Sequence, residues 1–190
     1  MECKETAKEV AAFTAKRIGS ILSTTSESAV GATLARLRRG IGRKPGAVPE
    51  LWGDVLLEMS EELQGGNEPS RAEWAIYVAL TMFALHQQGK NYKTTPMHVE
   101  GNSLGAAARC LIENEEDRER VARRFYPIAV ASDMENLSRQ LRSMITLLNA
   151  KGIPLDYVRL ARDLFYYQFP EARDLVRLRW GEDFCRIVKE

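Results

Sequence analysis

Carboxylates crowd one short stretch of the chain, where Asp54, Glu58, Glu61 and Glu62 fall within nine positions. Asp54 and Glu58 are four apart and would share one face of a helix. With Glu61 they could in principle hold a metal ion, as carboxylates do in di-iron bundles, but such sites also need an inward-facing Glu-x-x-His motif. None occurs here, so a solvated acidic face, or one that meets a basic partner, accounts for the cluster better. The two histidines add little: His86 lies among apolar residues, and His98 has no Cys or carboxylate at ligand spacing. No G-x-S-x-G setting, Walker loop or dinucleotide fingerprint occurs. Gly101-Asn102-Ser103-Leu104-Gly105 at a helix start could bind an anion through free N–H groups, although any capped helix start looks the same. Catalytic residues and metal ligands are therefore assigned to no position, and no cofactor is implied.

Basic residues form the second kind of cluster. Arg36, Arg38 and Arg39 are followed by Arg43 and Lys44, five cations within nine positions. A helix C-terminus accounts for one or two of these through its macrodipole and leaves the rest unexplained. Arg120, Arg123 and Arg124 fall at i, i+3 and i+4 and share a helical face. Arg109, Arg139 and Arg142 are further candidates. The chemistry such sets could perform is contact with a phosphate backbone along a basic groove, and on pattern alone this stands level with ordinary helix-surface pairing.

Composition bounds these readings. The chain has 190 residues, 45% hydrophobic and 28% charged, which is ordinary globular usage and no disordered or collagen-like chain. No run approaches the roughly 18–20 apolar residues of a membrane span. Cys3, Cys110 and Cys185 have no knuckle spacing, and the charged start Met1-Glu2-Cys3-Lys4-Glu5 has no apolar leader core, so a reducing, cytoplasmic setting is expected. The net charge of +1 argues at first against a strongly basic nucleic-acid binder. It conceals a sorting, however: residues 14–48 carry seven basic groups against one acidic, and residues 49–76 one against seven.

The elements that must position these residues read as helices throughout, giving an all-α fold of two packed helical halves. The expected helices are 5–22, 28–39, 50–64, 70–88, 103–113, 116 towards Pro127, 133–150, 157–168 and 171–188. Ser23-Thr24-Thr25-Ser26 separates the first two, and Gly40 to Pro49 forms a loop. Ser70 with Glu73 forms a capping box ahead of a helix apolar on most of its circumference, which belongs at the centre of the fold. Trp52, Trp74 and His86 are expected in the core. Gly and Ala in 103–113 would let another helix come close. The polar loop 89–101 suggests an N-terminal helical subdomain over 1–95 and a C-terminal antiparallel bundle over 96–190.

A resemblance runs through the same residues. Leu34-Ala35-Arg36-Leu37-Arg38-Arg39-Gly40 followed by Pro49-Glu50-Leu51-Trp52 resembles the N-terminal signature of the CasB family, the small subunit of the type I-E CRISPR Cascade complex. Leu80-Thr81-Met82-Phe83-Ala84-Leu85-His86-Gln87-Gln88 resembles its central helix, and Ser103-Leu104-Gly105-Ala106-Ala107 its small-residue helix. Arg123-Arg124-Phe125, Gly152-Ile153-Pro154-Leu155-Asp156-Tyr157, and Trp180-Gly181 with Phe184 resemble its C-terminal half. The order holds from about residue 30 to 186. The resemblance implies a non-catalytic, all-helical subunit, present as a pair of copies beside the subunits that hold the guide RNA. The displaced strand of the target DNA would run over its basic surface. On that reading Arg36, Arg38, Arg39, Arg43, Lys44, Arg109, Arg120, Arg123, Arg124, Arg139 and Arg142 contact nucleic acid, and the acidic 49–76 segment serves protein contacts. The alternative is an architectural subunit whose arginines bind neighbouring proteins.

Overall fold

A computed structural model describes residues 2–24 and 26–186. The chain runs through α1 (Glu2–Leu22), α2 (Glu27–Arg39), α3 (Trp52–Val55), α4 (Arg71–His86), α5 (Leu104–Arg109), α6 (Glu115–Ala129), α7 (Met134–Lys151), α8 (Tyr157–Tyr167) and α9 (Pro170–Cys185). Among the described residues there is no strand, only a single bridge between His98 and Leu155. The fold is all-α, as expected. No described helix is long and apolar enough to cross a membrane. Thr25, expected in the break before α2, and residues 187–188, expected in the last helix, lie outside the described residues.

The central helix owes its place to its composition. Twelve residues of α4 are buried, from Ala72 to His86, and α1, α2, α7 and α8 all pack against it. Its start is the capping box read from the sequence: Ser70 Oγ accepts from Glu73 N (2.9 Å), and Glu73 Oε2 accepts from Ser70 N (2.6 Å). Around it, α1 also lies on α8, α6 on α7, and α5 on α9. Lys151 at the end of α7 reaches Glu113 just ahead of α6 (3.0 Å), so these two helices run antiparallel. Asp133 caps α7 through Asn136 N (2.7 Å), and Gly152, in the left-handed conformation, ends it.

The expected helix over 50–64 is the main departure. Only α3 is α-helical there, flanked by single 3₁₀ turns at Pro49–Leu51 and Glu61–Leu63. Two causes are visible. Arg17 donates to the carbonyls of Gly53 (2.8 Å) and Asp54 (2.7 and 3.0 Å), the acceptors that a longer helix would offer to residues 57 and 58. Glu58 then takes a positive φ of 61°, which ends any right-handed run. Leu51, Val55, Met59 and Leu63 still bury, but Trp52 does not.

Trp52, expected in the core, is instead 53% exposed, its Nε1–H donating to Gly46 O at 3.1 Å. Trp74 is partly buried against the core, and His86 is fully buried. Truncating a buried Trp costs about 3–5 kcal/mol. Trp52→Ala should cost only about 1 kcal/mol, the worth of one hydrogen bond and partial packing, as measured by urea denaturation.

Candidate nucleic-acid interface

The C-terminal turn of α2 and the loop after it carry the first basic set. Leu34 and Leu37 bury against the core, which fixes the helix rotation and sorts the arginines between them. Arg36 is turned inward to Asp54, with Nε on Oδ2 at 2.8 Å and a second nitrogen on Oδ1 at 3.0 Å. That carboxylate holds the guanidinium pKa above its ordinary value. Arg38 is half-buried and donates to the Ala84 carbonyl at 3.3 Å, and burial lowers its pKa. Arg39 and Arg43 are exposed, and neither guanidinium makes a hydrogen bond or ion pair among the described residues.

The loop does not stand alone. Lys44 lies 3.9 Å from Glu135 in the first turn of α7. Arg139 and Arg142 follow Glu135 at i+4 and i+7, on the same face of that helix. Both are exposed and without a hydrogen bond or ion pair from their guanidinium groups among the described residues. Two segments almost a hundred residues apart thus meet at Lys44 and Glu135, and between them they carry Arg39, Arg43, Arg139 and Arg142.

The α6 set is distributed differently. Asp117 accepts from Glu113 N ahead of the helix, and it also holds Arg120. Arg123 pairs with Glu119 (3.1 Å) with both groups largely in solvent, where such a pair is worth well under about 1 kcal/mol. Arg124 donates to its own helix at Arg120 O (3.4 Å). Arg109 donates to Arg186 O (3.1 Å) at the end of α9. Of the eleven nominated cations, Arg36, Arg38 and Arg120 are held in partly buried protein contacts, and Arg39, Arg43, Arg139 and Arg142 make no guanidinium hydrogen bond or ion pair among the described residues.

The other candidates resolve into structure. Asp54 serves Arg36, and Glu58 pairs with Lys16 at 2.6 Å. At the 101–105 helix start, the chain supplies its own acceptors: Asp156 Oδ2 takes Gly101 N (2.8 Å), and Ser103 Oγ takes Ala106 N (3.2 Å). His98 Nδ1 accepts from Tyr157 N at 3.2 Å. Sequence reasoning passed over Arg162, exposed on α8 with no ion pair of its own among the described residues. Its i, i+3 spacing from Arg159 was the available signal.

The family model for CRISPR-associated protein Cse2 matches residues 33–184. The crystal structure of CasB from Thermobifida fusca is similar over 97% of this chain and 98% of that one, at 31% identity and a TM-score of 0.70. CasB from Thermus thermophilus aligns over 94% of this chain and 96% of its own, at 23% identity and a TM-score of 0.65, and shares the fold. A CRISPR-associated protein of the Cse2 family from Thermus thermophilus does so at 21% identity, a TM-score of 0.63 and the same coverage. No curated protein matches by sequence.

Proposed function

The chain belongs to the CRISPR-associated Cse2 family, and from that membership we propose that it is the non-catalytic small subunit of a type I-E Cascade complex, holding nucleic-acid backbone without regard to sequence. It works in the cytoplasm beside a second copy and the subunits that carry the guide RNA. It steadies the opened target, including the displaced strand. The observation that supports this is the meeting of the 39–44 segment with α7, two segments that carry four arginines whose guanidinium groups make no hydrogen bond or ion pair among the described residues. Phosphate contacts carry no sequence information. Exchanging a DNA duplex for an RNA–DNA hybrid is nearly balanced in energy, so a few such contacts can tip it.

The test combines Arg43→Glu, Arg139→Glu and Arg142→Glu. Single-strand binding by the free chain should weaken about tenfold or more at low salt, and target opening by the assembled complex should fall. The log–log salt slope should flatten by about 0.7 for each phosphate no longer neutralised. An unchanged slope, with the other subunits no longer co-purifying, would assign these arginines to protein neighbours instead.

A further inference from the structure

Where the end of α9 meets the chain after α5 there is a cleft of about 360 Å³, lined by Arg109, Arg118, Arg186, Cys110, Cys185 and Phe184 among others, with no carboxylate in its wall among the described residues. It lies by the start of α6, and the Lys151–Glu113 contact places that region at the opposite end of α7 from Glu135. It is therefore separate from the basic region described above.

Three guanidinium groups line this cleft, and they differ in what holds them. Arg186 (3.2 Å) and Arg159 (3.0 Å) both draw on Asp183, whose Oδ2 also accepts from Ser103 Oγ at 2.6 Å. Arg118 shares an exposed pair with Glu115 at 3.3 Å. Arg109 has only a backbone carbonyl, Arg186 O. Of the three guanidinium groups that line the cleft, Arg186 and Arg118 thus each pair with one carboxylate, and Arg109 pairs with none among the described residues. Converging like charges repel, and an anion between them removes that cost. A guanidinium fork with free N–H donors suits the oxygens of a phosphate.

We propose that this cleft is a second phosphate-binding point, occupied by a phosphodiester group of single-stranded nucleic acid; this rests on the function proposed above. Arg109 and Arg118 hold the phosphate oxygens, and Arg186 closes the rim. The two thiols report occupancy, since both are exposed and line the wall, whereas Cys3 lies in a different cleft.

The test is alkylation of the full chain by iodoacetamide at low salt, read at each cysteine by mass spectrometry, with strand binding followed in parallel by fluorescence anisotropy. A saturating thymidine oligonucleotide should slow modification of Cys110 and Cys185 at least about threefold and leave Cys3 unchanged. Arg109→Gln, and separately Arg118→Gln, should remove the protection while the melting temperature stays near that of the parent. Equal protection by inorganic phosphate at the same phosphate concentration would assign the cleft to a small anion and overturn the proposal. Equal protection by polyglutamate at matched charge would assign it to an acidic protein segment and overturn it as well. Binding without protection would overturn the cleft alone and leave the proposed function standing. No binding at all would overturn both.

Discussion

Gly105→Ala should destabilise the protein by about 3 kcal/mol, at the upper end of what overpacking costs. A methyl group there would lie 2.2 Å from the Trp180 carbonyl oxygen and 3.0 Å from both Phe184 N and Asp183 Cβ. Two of the three obstacles are backbone atoms of α9, which no rotamer change can move, so α5 and α9 would have to separate. In a chain of this size the midpoint temperature should fall by about 6–12 °C. Gly181→Ala is the matched control. It lies in α9 with nothing within 4 Å of the added carbon, and a helix-interior Gly→Ala change favours folding by up to about 1 kcal/mol. A Gly105 variant as stable as the parent would mean that the close crossing of α5 and α9 does not hold the C-terminal helix in place.

His86 should make stability fall steeply in mild acid. Tyr157 Oη lies 2.9 Å from His86 Nδ1 and 3.2 Å from Met82 O, which fixes the ring in place. His86 Nε2 makes no hydrogen bond of good geometry, and the ring is fully buried. Burial lowers the His86 pKa from 6.5 to about 4, only partly opposed by the backbone groups of Ile153 and Leu148. Because the folded pKa is depressed, the unfolded chain binds the proton first. The contribution of about 3 kcal/mol is complete above pH 6.5 and is lost as pH falls from there towards 4. His86→Phe keeps a ring at this position and removes the titration. Subtracting its denaturation curve at each pH from that of the parent cancels every other group. A flat difference between pH 7 and 4 would show that His86 is not held neutral.

Much of the fold is legible without coordinates. The capping box at Ser70 and Glu73, the apolar circumference of α4 and the Asp133 cap use only neighbours within a turn, so local pattern is sufficient. Gly105 is legible as well, because a run of Gly and Ala has few reasons other than close approach. The 50–64 segment is not. Its apolar stripe is helical in spacing, but a side chain thirty-odd positions away takes the carbonyls that a helix would need. Trp52 is outside the core as well, with its indole N–H on the Gly46 carbonyl. The basic set divides in a similar way. Nothing within Arg36-Leu37-Arg38-Arg39 separates the guanidinium that meets Asp54 from the one left in solvent, since the partner lies 18 residues on.

Asp54 is gripped from two sides, its carbonyl by Arg17 of α1 and its carboxylate by Arg36 of α2. A four-residue helix has almost no stability of its own in water. Amide protons in 52–56 therefore have no private route to slow exchange; whatever protection they show is borrowed from the two helices that hold residue 54. The acidic stretch and the first two helices should behave as one cooperative opening unit, so a partner that seizes this surface would slow exchange well beyond its own footprint.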